Sequence, residues 1–301
     1  MKIGYVSRLG AGSPSFAPLH RAIHARGHEL VVMNPITAEL CYPAPPDDPP
    51  PPDVTLTRIG GTSPLTAQDL VRNLEARGGR CVNTASSLSR SSDKVAMLGE
   101  LARLRLPLPR SVVLPCVEDP GRERLSRVLA YLGPPPWVAK LPRGNKGQGV
   151  VVVESLQALR GLADWFLAMG QPLLLQAFVR TSPPSDCRLV VVGGRVLAAM
   201  RRYGEDGELR ANVHLGGRVE RLHPAAETAE LAVRAADAFG LEIAGVDLME
   251  GPEGMVVIEV NSSPGVTGIQ RALDEAPAGS ERLDVAEEMV RYLETVARAR
   301  E

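Results

Sequence analysis

Lysine is almost missing from this chain. Of its 34 basic residues, 30 are arginine and only four are lysine: Lys2, Lys94, Lys140 and Lys146. Aromatic residues are also scarce, at 4%, so no stacking platform for single-stranded nucleic acid is evident. Neither sign of charge is in excess. The 34 basic and 35 acidic residues give a net charge of −1, which argues against general nucleic-acid binding, whose affinity comes mainly from positive charge. No apolar run approaches the ~20 residues that span a bilayer, and Met1 to Gly10 lacks the apolar stretch of a signal peptide. Cys41, Cys81, Cys116 and Cys187 include no CxxC pair and read as reduced thiols. These absences predict a cytoplasmic protein that neither enters membranes nor binds nucleic acid generally. What is present is ordinary: 301 residues, 44% hydrophobic and 23% charged, rule out disorder as the dominant state.

Along the chain, short apolar runs at 2–7, 29–33 and 54–59 alternate with helical patterns at 17–26 and 67–77, the helices closed by Gly27 and Gly78. That alternation predicts a small parallel α/β unit over residues 1–92. The proline-rich stretch 42–53 reads as a stiff connector. From Asp93 the texture changes. Helices are expected at 94–104, 156–169, 225–239 and 281–300. Strands are expected at 137–141, 150–153, 173–179, 188–192 and 196–201, and a last hairpin at 243–249 and 255–261.

Two constellations stand out. The stretch Lys140-Leu-Pro-Arg-Gly144-Asn-Lys146-Gly147-Gln-Gly149 places three glycines and two of the four lysines between two strands. Glycines let backbone N–H groups curl towards phosphate oxygens, and lysines supply point charges for them. A plain hairpin is the competing reading, and it leaves the lysines unexplained. Neither the Walker pattern nor GxGxxG is present. In the last hairpin, the period of two puts Glu259 and Asn261 on one face, and a turn centred near Pro252 sets Asp247 opposite Val257, on that same face. Two carboxylates and an amide suit Mg²⁺ bound together with nucleotide phosphates. The alternative is a solvated face of an edge hairpin, and a one-residue slip would turn Asp247 away. His20 and His24 are spaced as helical neighbours but lack a third ligand, so a solvated helix face is expected there. His214, in a polar glycine-containing segment, is open to a site role or a structural one.

In combination these residues resemble a known family. The order Asp93-Lys94, Lys140…Gly144…Gly147-Gln-Gly149, Gln176-Ala177-Phe178-Val179, Asp186-Cys-Arg188, Arg210-Ala211-Asn212, Gly245-Val-Asp247 and Glu259-Val-Asn261-Ser-Ser-Pro-Gly265 is similar to that of ATP-grasp ligases, and most of all to RimK-type α-L-glutamate ligases. Arg58-Ile-Gly60 and Val82-Asn83 join the resemblance, which covers essentially the whole chain.

The resemblance implies a mixed α/β (α+β) ATP-grasp fold. It divides the chain into an N-terminal α/β domain (1–92), a central subdomain with the glycine-rich lid (93–178) and a C-terminal subdomain with the metal site (179–301). It implies an ADP-forming ligase that activates a carboxylate as an acyl phosphate and joins it to an amine. Its cofactors are ATP and Mg²⁺, with Mn²⁺ as a substitute. In this reading Lys94, Lys140, Gly144, Gly147 and Gly149 hold phosphates, and Gln176, Ala177 and Phe178 form the adenine hinge. Asp186 contacts the ribose, Arg210, Ala211 and Asn212 meet the transferred phosphate, and Asp247, Glu259 and Asn261 bind the metal. The partners implied are an amino acid such as glutamate as amine and a peptide, protein or small-molecule carboxylate; a homo-oligomer is compatible with them. Three departures bear on substrates and hinge: Ala177 replaces a usual glutamate, Leu215 a basic residue, and Arg271–Ser280 a Thr-Thr-Gly segment. A natural-product ligase and a non-catalytic nucleotide-binding regulator are the alternatives.

Overall fold

The computed structural model describes residues 1–45, 47–60, 65–115, 122–142, 149–204, 218–277 and 282–299. Its first sheet is parallel. Strands β1 (Lys2–Val6), β2 (Glu29–Met33), β3 (Val54–Thr57) and β4 (Cys81–Val82) lie in the order β2-β1-β3-β4, connected through α1 (Phe16–Ala25) and α2 (Leu65–Ala76). The central strands β1 and β3 are buried on both faces; β1 is largely apolar, and β3 buries Thr55 and Thr57 between Val54 and Leu56.

Helices α3 (Ala85–Arg90) and α4 (Lys94–Arg103) follow. Thr84 caps α3 and Asp93 caps α4, each by accepting hydrogen bonds from backbone N–H groups of the first turn. The second sheet is antiparallel: β5 (Ser111–Leu114), β6 (Trp137–Lys140), β7 (Val150–Val153) and β8 (Leu173–Ala177) lie in the order β5-β8-β6-β7. Helices α5 (Arg122–Leu132) and α6 (Leu156–Ala168) cover one face, where Trp137, Ala139, Leu173 and Leu175 meet Leu132, Leu159 and Phe166.

The third sheet carries the site. Strands β9 (Ser185–Val192), β10 (Arg195–Tyr203), β11 (Val219–Arg221), β12 (Ile243–Gly251) and β13 (Gly254–Asn261) lie in the order β11-β10-β9-β12-β13. Along β9, Cys187, Leu189 and Val191 point to one face, where they pack with α7 (Ala226–Asp237) and with Met97 and Leu101 of α4. Val190 and Val192 point to the other face, packed with α8 (Val266–Asp274) and α9 (Val285–Arg298). Asp186 and Arg188 share the face of Val190 and Val192, but at the opposite end of the strand. One face is thus apolar at one end and charged at the other.

The mixed α/β architecture agrees with the sequence expectation. The register of the last hairpin does not. Gly251 pairs with Gly254 around a two-residue turn, and Leu248, not Asp247, stands opposite Val257. The register then shifts, and Asp247 pairs with Glu259. The extra residue is Ile258, as in a β-bulge. Without the shift Asp247 would face Ile258, and Glu259 would point to the other side. The bulge therefore puts both carboxylates on one face. The short elements β4, α3, β5, α5, β11 and α8 were not expected from the sequence.

Candidate active site

Four strands of the third sheet supply a row of charges. Arg188 on β9 stands opposite Asp247 on β12, which stands opposite Glu259 on β13. Arg202 on β10 stands opposite Asp186 on β9. Arg188 donates from both ends of its fork to Asp247, Nε to Oδ1 at 2.7 Å and an Nη to Oδ2 at 2.6 Å. Arg202 grips Asp186 in the same way, at 2.5 and 2.6 Å, and lies 3.1 Å from Asp247 Oδ2. Burial alone would raise the Asp247 carboxyl, but Arg188 and then Arg202 outweigh it and hold it below the usual carboxylate range. For Asp186 burial prevails over Arg202, and its carboxyl is pushed up.

The lysines arrive from outside this sheet. Lys94, in the first turn of α4, reaches Glu259 at 3.1 Å. Its backbone N–H donates to the Pro142 carbonyl at 2.9 Å, which ties α4 to the segment following β6. Lys140 ends β6 on the face turned away from the α5 and α6 core, and it is buried. Burial draws its pKa down to about 8; Glu259 opposes this and Lys94 adds to it. Lys140 on β6 therefore lies within the field of Glu259 and Asp247.

Backbone geometry supports the approach. Leu141 N donates to the Gly149 carbonyl at 3.0 Å. Gly149 has φ of +70°, and a Cβ there would collide with the Leu141 side chain, so only glycine suits the position. The loop after Asn261 is held by the residues that directly follow β3 and β4. Ser262 Oγ donates to the Ile59 carbonyl, Asn83 Nδ2 to the Ser262 carbonyl, and Arg58 to the Pro264 carbonyl.

The other residues singled out from the sequence fall as follows. Asn261 directs its Nδ2 at the Gly245 carbonyl and Asp247 Oδ2, both at 3.4 Å. Gln176 is buried on the Lys140 face and donates to Ser111 Oγ at 2.8 Å. Ala177 pairs with Trp137. Phe178 follows the strand, with the Arg180 guanidinium 5.9 Å from its ring centre. Asp186 offers both oxygens to Arg202, so a ribose hydroxyl there would share it with that guanidinium. Gly144, Gly147, Arg210, Ala211 and Asn212 lie outside the described residues, as do Lys146 and His214. The rings of His20 and His24 lie 4.4 Å apart, inclined at 58°. Two participants were missed. Arg202 and the clamping role of Arg188 depend on cross-strand register, which only the Asp-Cys-Arg spacing foreshadows.

Among the described residues no group of three His, Cys, Asp or Glu is gathered for a metal. The Asp247, Glu259 and Asn261 set has two carboxylates and an amide. These are hard oxygen donors of the kind Mg²⁺ takes when phosphates complete its shell, and Asp247 is held ionised. The set fits that ion.

A family model described as the RimK-like ATP-grasp domain matches residues 91–293. The chain belongs to the RimK-like ATP-grasp family. A relative named "Probable alpha-L-glutamate ligase" from Syntrophotalea carbinolica is 34% identical over 304 residues, covering 98% of this chain and 95% of the relative. Among solved structures, a RimK domain ATP-grasp protein from Sphaerobacter thermophilus superposes with a TM-score of 0.72 at 22% identity, covering 97% of this chain and 99% of the other. The ATP-grasp ligase PsnB, complexed with a phosphomimetic variant of a minimal precursor, Mg and ADP, gives a TM-score of 0.73 at 18% identity and 98% coverage of each chain. The RimK-like chain is thus an ATP-dependent ligase with the ATP-grasp fold. No helix among its described residues is long and apolar enough to cross a membrane.

Proposed function

We propose that this protein forms an amide bond between a carboxylate and the amine of an amino acid such as glutamate, the carboxylate lying at the end of a peptide or protein. The convergence of Lys94, Lys140, Asp247 and Glu259 from two sheets and a helix carries this reading. Two lysines beside two carboxylates suit a phosphate chain bound with a dication. Asp247, Glu259 and Asn261 would hold Mg²⁺, whose role when bound is to neutralise phosphate oxygens. Lys94 and Lys140 would hold the phosphates in line with the incoming carboxylate. An acceptor oxygen attacks the γ-phosphorus and ADP leaves; the amine then attacks the acyl carbon and phosphate departs with that oxygen. This chemistry asks the protein for positioning and charge neutralisation, with no covalent intermediate on a side chain. The same reading assigns Gln176, Ala177 and Phe178 to the adenine, Asp186 to the ribose, the glycine segment 144–149 to a lid, and Arg210, Ala211 and Asn212 to the transferred phosphate. It keeps the division at 92/93 and 178/179.

The test is incubation with MgATP, glutamate and a panel of peptides, read by mass spectrometry and ADP release. A peptide gaining one glutamyl mass with equimolar ADP supports the proposal. ADP formation that no carboxylate or amine stimulates counts against it.

A further inference from the structure

We propose that Arg188 guards the metal site, keeping Asp247 closed to a divalent cation until nucleotide phosphates draw its guanidinium away. The inference rests on the metal reading above and concerns the order in which that site fills. Each carboxylate oxygen offers about two lone-pair positions. Oδ2 of Asp247 already faces three donors, from Arg188 at 2.6 Å, Arg202 at 3.1 Å and Asn261 at 3.4 Å. Oδ1 takes Arg188 Nε at 2.7 Å. One position on Oδ1 remains, but a cation there would sit directly against the Arg188 guanidinium charge, so an unopposed approach to Asp247 requires the fork to leave first.

The charge balance points the same way. Among the described residues here, the four cations Lys94, Lys140, Arg188 and Arg202 face the three carboxylates Asp186, Asp247 and Glu259. A bare dication would enter a site already in positive excess and would part the half-buried Arg188 guanidinium from its carboxylate without supplying another anion. A polyphosphate chain reverses both objections. It brings negative charge, and it offers pairs of phosphate oxygens that a guanidinium fork grips with two parallel hydrogen bonds, as it does a carboxylate. Arg188 then exchanges Asp247 for phosphate, and Asp247 becomes a ligand.

The experiment titrates Mn²⁺, as a spectroscopic substitute for Mg²⁺, into the purified protein and follows free Mn²⁺ by electron paramagnetic resonance. Wild type, Arg188→Met, Arg188→Lys and Asp247→Asn are compared with and without a non-hydrolysable ATP analogue, against the analogue alone. Without nucleotide, Arg188→Met is expected to bind Mn²⁺ more tightly than wild type by about tenfold or more, the scale on which one guanidinium beside a carboxylate shifts its proton affinity. Arg188→Lys, which keeps the charge but loses the fork, should fall between them, and with nucleotide wild type should bind. Near-ultraviolet circular dichroism checks that each variant keeps its packing. If wild type without nucleotide binds Mn²⁺ as tightly as Arg188→Met, the guard is refuted while the metal site stands. If Asp247→Asn binds like wild type in the presence of nucleotide, the metal reading itself fails, and the guard with it.

Discussion

Asp247 is the residue on which most of the site turns. It is buried between two arginines, so its removal affects two properties at once. Asp247→Ala leaves Arg188 and Arg202 short of a counter-charge and is expected to cost about 3–5 kcal/mol of stability, readable by urea unfolding. Glu259 is more exposed and pairs with Lys94, so Glu259→Gln should keep the fold. It should still lose about 10²-fold or more of Mg²⁺-dependent turnover. Near wild-type turnover in Glu259→Gln would remove it from the metal set.

Lys140 gives a second test at this scale. With its pKa drawn down to about 8, the buried lysine begins to lose its proton just above neutrality. Bound phosphates favour the charged form. Nucleotide binding at pH 8 should therefore take up protons, seen as buffer-dependent calorimetric heat, and affinity should fall as pH rises beyond 8. Lys140→Arg should bind nucleotide more weakly, because the enclosed position suits a compact ammonium. The lysine scarcity in the sequence drew attention to Lys140 and Lys146 beside the glycines, and the family resemblance added Lys94. The arginine clamps could not be read in the same way, because arginine is everywhere in this chain and only the sheet register distinguishes these two.

Among the elements, the β12–β13 hairpin shows how far the sequence pattern reaches. Alternation put Asp247, Glu259 and Asn261 on a common face, and they are on one, but by a different register. Simple counting from the turn misses the extra residue Ile258, because a bulge leaves no compositional mark here. Gly245, opposite Asn261, has a plainer role. A Cβ there would lie 2.9 Å from Pro264 Cβ, so the glycine admits the loop that follows Asn261. Gly245→Ala should cost about 1–3 kcal/mol, as overpacking does, and should weaken Mg²⁺-dependent activity more than nucleotide binding; unchanged activity would show that the loop tolerates displacement. Helix α8 was missed because it opens with Val-Thr-Gly directly after Ser-Ser-Pro-Gly, all turn chemistry until Ile269 and Ala272 find their core. Strand β5 was missed because four residues between prolines show no periodicity; its partner β8 is what makes it a strand.

At the scale of the molecule, the last helix is tied to the segment between α1 and β2. Glu294 on α9 accepts a forked pair from Arg26 at 2.7 and 2.8 Å and lies 2.7 Å from His28 Nε2. The Arg26 hydrogen bonds hold its carboxyl down at about 2, against an ordinary 4.5. Because the folded value lies below the unfolded one, this stabilisation is complete above pH 4.5 and is lost as pH falls towards 2. The melting temperature of Glu294→Gln should trail wild type at pH 6, with the gap closing across that window; a constant gap would assign the loss to packing.

The whole assembly serves one reaction, and the oxygen atoms of the acceptor report it most directly. A peptide acceptor carrying ¹⁸O in its terminal carboxyl group is ligated to glutamate with MgATP, and the products are examined by ³¹P nuclear magnetic resonance. Attack on the γ-phosphorus must place one ¹⁸O in inorganic phosphate, with ADP as the nucleotide product. Label appearing in AMP, with pyrophosphate released, would contradict phosphoryl transfer at the Lys94, Lys140, Asp247 and Glu259 site.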